Sequence, residues 1–86
     1  MTIIGAPVAV WIAPSGRPER MCWAGRRYRV TDTPTLVESD FALITHPPDL
    51  PPTWRFQGTT DEGRSLVCDI RFDFANGEWV LLRTYE

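Results

Sequence analysis

The sequence predicts a small all-β domain, an antiparallel sheet that is strongly curled or closed into a barrel of five or six strands. Bulky apolar side chains alternate with polar ones along several short segments, and this is the period of a β-strand. Glycine-bearing turns separate these segments, and eight prolines leave little room for a long helix. The 86 residues suffice for one domain, so we treat 1–86 as a single unit.

The first predicted strand covers residues 8–13 (VAVWIA), a β-branched and aromatic run with a proline on each side. Strands 20–24 and 27–31 follow as a hairpin around Gly25 and Arg26, because glycine at the first central position suits a type II′ turn. This register pairs Trp23 with Tyr28. It also places four apolar side chains on one face: Met21, Trp23, Tyr28 and Val30.

Residues 31–53 are predicted to form an irregular, proline-rich connector. Five prolines interrupt any long element there: Pro34, Pro47, Pro48, Pro51 and Pro52. Residues 35–45 (TLVESDFALIT) fit a short helix that begins after Pro34, and they also fit an irregular strand. The sequence alone does not choose between these two conformations.

The last third predicts a three-stranded meander over 53–60, 65–74 and 78–85. A three-residue loop with Gly63 in the left-handed position would set Phe56 opposite Cys68 and Trp54 opposite Ile70. Asn76 and Gly77 are typical of a type I′ turn, which would set Phe74 opposite Trp79. With both faces partly covered, these strands suit an SH3-like barrel.

Strict alternation along 66–74 predicts which side chains face the core. Those predicted to point inward are Leu66, Cys68, Ile70, Phe72 and Phe74, and those predicted to face solvent are Val67, Asp69, Arg71 and Asp73. The final strand is less regular, since Val80 and Leu82 fall on the nominal outer face. Either another strand covers that face, or a bulge at Gly77 shifts the pairing by one residue.

Charge is divided unevenly along the chain, whose net charge is −2. Residues 1–30 hold five arginines and one acid, whereas residues 31–86 hold four arginines and ten acids. The two cysteines, Cys22 and Cys68, are too few for a secreted disulfide framework, and no signal or membrane segment is evident. We therefore expect a cytoplasmic protein with reduced thiols, no membrane partner, and a monomeric or weakly dimeric state.

The sequence contains no recognisable catalytic or metal-binding constellation. Its one histidine, His46, precedes two prolines in the connector, and one histidine with two isolated cysteines does not supply a zinc site. Asp69 and Asp73 flank Arg71, which indicates a solvated, charge-balanced strand face rather than a catalytic carboxylate pair. We expect no enzymatic activity, no metal and no cofactor.

Two surfaces remain as candidates for binding. Arg26, Arg27 and Arg29, joined by Arg17 and Arg20, form a basic hairpin beside aromatics, as in small barrels that bind single-stranded nucleic acid. Alternatively, these arginines pair with the acids of the last third. An exposed apolar patch at Trp11, Val80 and Leu82 would instead bind a protein partner. The proline segment 46–54 (HPPDLPPTW) is either a second docking segment or a stiff connector.

Four sequence patterns stand out: WxGRRYRV at 23–30, WRF at 54–56, DxRxD at 69–73 and the ending GEWVLLRTYE at 77–86. Together they resemble a short, uncharacterised domain family of Actinobacteria. Members of that family occur alone and as a tail on error-prone Y-family DNA polymerases of the ImuB type. The resemblance implies a role in DNA-damage tolerance but assigns no functional residue. From the sequence, the leading hypothesis is a protein-interaction or adaptor module, and the alternative is a module for single-stranded or damaged DNA.

Overall fold

The computed structural model describes residues 1–37 and 53–85. Seven β-strands form this part of the chain: β1 (Thr2–Ile12), β2 (Pro18–Trp23), β3 (Arg26–Val30), β4 (Thr35–Val37), β5 (Thr53–Thr59), β6 (Ser65–Asp73) and β7 (Glu78–Tyr85). Nothing in these two ranges is a helix capable of crossing a lipid bilayer.

Six of the strands close into an antiparallel barrel. Their order is β3-β2-β1-β7-β6-β5, and β3 closes the ring by pairing with β5. β4 is the additional strand, and it lies end to end with β3 along one edge of β5. β3 pairs with β5 at Gly58 and Thr59, whereas β4 pairs with β5 from Thr53 to Arg55. The predicted all-β class and small SH3-like barrel are confirmed.

In the first half, the structure corrects one predicted strand boundary and decides part of one choice that the sequence left open. The strand predicted for 8–13 begins earlier, at Thr2, and runs through Pro7. Proline is tolerated there because β1 pairs with β2 only from Ala9 onward, so one edge of Pro7 needs no hydrogen bond. The connector predicted for 31–53 contains β4, which settles the choice between helix and strand for Thr35–Val37 alone. The rest of the connector, with His46 and most of the proline segment, lies outside the described residues.

The turn between β2 and β3 lies one residue earlier than predicted. Ala24 and Gly25 are the central residues, with φ of 53° and 75°, which is the backbone of a type I′ turn. Met21 therefore pairs with Tyr28, and Trp23 pairs with Arg26. Because the register differs from the predicted one by two residues, every side chain keeps its predicted face.

Replacing Ala24 with asparagine is expected to stabilise the protein by about 1 kcal/mol, because alanine is strained at positive φ and asparagine tolerates it. Thermal unfolding should show a melting temperature roughly 4–8 °C higher for a domain of this size. Ala75→Asn is the matched control, since Ala75 also lies in a hairpin turn but has a negative φ. An equal gain from both variants would contradict this explanation.

The second half agrees closely with prediction until the last turn. Phe56 pairs with Cys68 and Trp54 pairs with Ile70 around the Asp61–Gly63 loop, as predicted. The β6–β7 turn, however, uses four residues, 74–77, so Phe72 rather than Phe74 pairs with Trp79. Phe74 was predicted to point inward but is 68% exposed, because it lies in the turn beyond the end of β6.

The core lies inside the barrel and combines side chains from β2, β3, β5, β6 and β7. Its fully buried members are Met21, Tyr28, Phe56, Cys68, Ile70 and Leu81. Gly58 permits β5 to approach β3, since a Cβ at this position would lie 3.1 Å from Cβ of Tyr28. Within the described residues, most outward side chains of β1, β2 and β3 are exposed.

Candidate functional site

Strand pairing places Trp11, Arg20 and Arg29 in one row across three strands. Trp11 on β1 pairs with Arg20 on β2, and Arg20 pairs with Arg29 on β3. Directly paired residues on neighbouring antiparallel strands have Cβ atoms about 4.5–5.5 Å apart. The aromatic ring and the two guanidinium groups therefore belong to one continuous surface.

This row lies on the outside of the barrel. The adjacent row, Val10 with Met21 and Tyr28, points inward: Met21 and Tyr28 are buried in the core. Successive side chains of a strand point to opposite faces, so Trp11, Arg20 and Arg29 point outward. Trp11 is 53% exposed and both arginines are exposed.

Arg27 joins the same face, but Arg26 does not. Arg27 pairs with Cys22, which in turn pairs with Ala9, so these residues form a second outward row beside the first. Arg26 pairs with Trp23 and shares the face of Met21 and Tyr28 at the open end of the barrel. The three arginines predicted as one cluster are thus divided, and Arg20 takes the place of Arg26.

A groove of about 360 Å³ runs along this surface. Its walls are formed by Trp11, Arg20, Met21, Arg27, Tyr28, Arg29 and Asp61. Pockets for small ligands occupy roughly 300–1,000 Å³, so this groove is at the lower end of that range. Its exposed groups are the Trp11 ring, three guanidinium groups and the Asp61 carboxylate, because Met21 and Tyr28 are buried. We refer to Trp11, Arg20, Arg27 and Arg29 as the basic face.

No arginine of the basic face forms an ion pair within residues 1–37 and 53–85. The ion pairs found there join Arg55 and Arg83 to Asp69. Pairing of the hairpin arginines with acids of the last third, the alternative raised by the sequence, is therefore not seen in this part of the chain. Exposed guanidinium groups of this kind remain available to an anionic ligand.

Asp69 was predicted to face solvent, and this prediction was wrong. It points outward from β6, yet its exposure is 0% because neighbouring side chains cover it. Arg55 donates from Nε to Oδ1 at 2.8 Å and from Nη2 to Oδ2 at 3.1 Å, and the Tyr85 hydroxyl donates to Oδ2 at 2.8 Å. Arg83 approaches Oδ2 at 3.4 Å.

The polar cluster around Asp69 links three strands of the barrel through hydrogen bonds and ion pairs. The Arg55 guanidinium also lies 4.8 Å from the centroid of the Tyr85 ring. Its hydrogen bonds to Asp69 raise the pKa of Arg55 above its ordinary value. Every oxygen of Asp69 is thus engaged, and the cluster joins β5, β6 and β7. The contact between Arg55 and Asp69 could have been predicted from the sequence, because the predicted β5–β6 register also pairs these two residues. The contacts with Tyr85 and Arg83 could not.

Of the apolar patch predicted at Trp11, Val80 and Leu82, only Trp11 is exposed. Val80 and Leu82 are half-buried, since β7 is flanked by β1 on one side and β6 on the other. Val80 pairs with Pro7 and with Arg71. Leu82 lies at a bulge between the pairs Ile70–Leu81 and Asp69–Arg83, which accounts for the irregular pattern of the last strand.

The described residues show no arrangement suited to metal chemistry. Between residues 1 and 37 and between 53 and 85, no three side chains of His, Cys, Asp or Glu gather closely enough to hold an ion. The two cysteines are not joined in a disulfide. Burial raises the pKa of the Cys68 thiol to about 12, so it stays protonated and unreactive near neutral pH.

Comparison of the chain with protein-family models, curated protein sequences and solved structures gave no match. The resemblance to the actinobacterial domain family therefore stays a prediction. The basic face remains the surface on which a functional argument can be built.

Proposed function

We propose that this domain is a non-catalytic binding module that holds single-stranded nucleic acid on the basic face. The observation that supports this most directly is the shared outer row of Trp11, Arg20 and Arg29. It combines an aromatic platform with cations at the spacing of neighbouring strands. Single-strand binders use these two elements, base stacking on an aromatic ring and contact of the phosphates with a basic track.

The energetics favour an anionic ligand over a purely apolar one. Each phosphate neutralised by an arginine releases condensed counterions, which is the main source of nucleic-acid affinity. A base stacked on an exposed aromatic side chain adds roughly 1–3 kcal/mol. Three arginines and one tryptophan therefore predict modest, strongly salt-dependent binding without strong sequence preference.

Fluorescence anisotropy of a labelled single-stranded oligonucleotide tests the proposal. We expect binding at 50 mM salt to weaken by about 30-fold at 300 mM, as roughly two to three neutralised phosphates would produce at about 0.7 released counterions each. Trp11→Ala should weaken binding by about tenfold through loss of stacking. Trp79→Phe is a useful control, because Trp79 is half-buried beside Phe72 and away from the basic face. Unchanged anisotropy at low salt would refute the proposal.

An acidic segment of a protein partner is the second candidate, and it corresponds to the adaptor hypothesis favoured by the sequence. Ile12 follows Trp11 on β1, where strand alternation turns it away from the basic face, and its 41% exposure gives a neighbouring apolar contact that base stacking does not require. Tryptophan and arginine are also the side chains most enriched at protein interfaces. Loss of binding to a protein partner on Ile12→Ser, with oligonucleotide binding unchanged, would favour this candidate.

We also propose that the protein resides in a reducing compartment such as the cytoplasm. Both thiols are unpaired, and oxidising compartments usually convert the cysteines of small domains into disulfides. The DNA-repair context implied by the family resemblance is compatible with this placement.

A further inference from the structure

The row that begins at Trp11 continues beyond the arginines onto two more strands. Arg29 pairs with Thr59 on β5, and Thr59 pairs with Ser65 on β6. The next inward row, Val30 with Gly58 and Leu66, faces the interior, so Thr59 and Ser65 point outward like Arg29. One line of outward side chains therefore crosses β1, β2, β3, β5 and β6.

Hydroxyl groups occupy the far end of this line and are hydrogen-bonded in series. Oγ1 of Thr31 lies 2.9 Å from Oγ1 of Thr59, which lies 2.8 Å from Oγ of Ser65. Thr31 Oγ1 also donates to the carbonyl oxygen of Gln57 at 3.3 Å. That carbonyl already accepts the backbone N–H of Thr31 at 2.9 Å. We call Thr31, Thr59 and Ser65 the hydroxyl chain.

The hydroxyl chain can reverse its direction without leaving a carbonyl unsatisfied. When its hydrogens point toward Gln57, Ser65 donates inward to Thr59. When they reverse, Thr31 donates to Thr59, Thr59 donates to Ser65, and the Ser65 hydroxyl is released to donate outward. Gln57 keeps the hydrogen bond from the Thr31 N–H in both cases. An anion beside Ser65 would favour the reversed chain, because hydrogen bonds in series strengthen one another.

We infer that the binding site extends along this row to the hydroxyl chain, where Ser65 donates to a phosphate, and that the ligand is a strand crossing five β-strands rather than a single nucleotide. This inference rests on the proposed function. Four inter-strand spacings of about 4.8 Å give a track of roughly 19 Å at the backbone, which curves around the outside of the closed barrel. At a stacked rise of about 3.4 Å per nucleotide, the track matches about six nucleotides.

Length dependence with matched serine variants tests the inference. Oligothymidylates of three, six and nine nucleotides are titrated by isothermal calorimetry against wild type, Ser65→Ala and Ser15→Ala. Ser15 is an exposed serine of the β1–β2 turn and serves as the control. We expect Ser65→Ala to weaken the six-nucleotide ligand by about tenfold, the value of one hydrogen bond to a charged group. The three-nucleotide ligand should be unaffected, because it reaches only from Trp11 to the arginines.

The outcomes separate this inference from the proposed function. Binding of all three ligands with no effect of Ser65→Ala would leave the proposed function standing and overturn the extended site. Absence of binding by every oligonucleotide would overturn both. Equal binding of hexaglutamate, with the same dependence on Trp11 and Ser65, would show that the row recognises an acidic peptide, and this too would overturn the inference.

Discussion

Asp69→Asn is expected to lower the free energy of unfolding by about 3 kcal/mol, the lower end of the cost of breaking a buried ion pair. The carboxylate is fully buried and interacts with Arg55, Arg83 and Tyr85. Its arginine partners keep part of their side chains in solvent, 41% for Arg55 and 31% for Arg83, so they are partly rehydrated when the charge is lost. The melting temperature should fall by roughly 12–24 °C.

Chemical and thermal unfolding, followed by circular dichroism, measure this loss. Glu62→Gln removes an exposed carboxylate from the β5–β6 turn and should change stability by less than about 0.5 kcal/mol. Tyr85→Phe is the milder companion variant. It removes the hydrogen bonds that the Tyr85 hydroxyl donates to Asp69 and accepts from Arg55, and should cost about 1–2 kcal/mol, which keeps the test informative if Asp69→Asn does not fold. A loss below 1 kcal/mol for Asp69→Asn would contradict the structural role.

Charge reversal on the basic face should abolish oligonucleotide binding while the fold survives. Arg27→Glu combined with Arg29→Glu changes the local charge by four units on outward side chains that have no ion-pair partner in the described part of the chain. Two favourable phosphate contacts become repulsive, so affinity at low salt should fall by at least about 100-fold.

A charge-matched control distinguishes a local site from general electrostatics. Arg71→Glu and Arg29→Glu change the net charge equally as single variants, but Arg71 lies toward the opposite end of β6 from Ser65. The Arg71 control should retain binding to within about fivefold, because exposed charges beyond a Debye length of roughly 8–10 Å are screened. Equal losses in the two single variants would show that net charge, not the basic face, determines the affinity.

Local turn chemistry explains how much of the fold was predictable. The Asp61–Gly63 loop fixed the β5–β6 register, because a glycine in the left-handed position specifies this hairpin. The other two hairpins were each predicted with a register two residues away. Ala24 adopts a positive φ that its residue type disfavours, and the β6–β7 turn needs four residues where Asn76 and Gly77 suggested two. A register error of two residues leaves each side chain on its predicted face of the sheet, so most of the predicted core residues are indeed in the core.

The composition of the candidate site was less predictable than the core. Trp11 and Arg29 were singled out separately, and only the pairing of β1 with β2 reveals that they lie in one row. The burial of Asp69 depends on Tyr85 and Arg83, whose approach requires the bulge at Leu82. Long-range alignment of this kind is set by barrel closure, which sequence periodicity does not specify.

The pairing of Val37 with Thr53 has a consequence for how this domain can vary. β4 ends at Val37 and β5 begins at its direct cross-strand neighbour Thr53, so the fifteen residues 38–52 join two points that are already paired. Closing a loop costs only about 0.6 kcal/mol for each doubling of its length. Grafting a tight hairpin here, or inserting a foreign peptide or a reporter, should leave the rest of the molecule folded. The position is thus a natural point for lengthening or shortening the polypeptide.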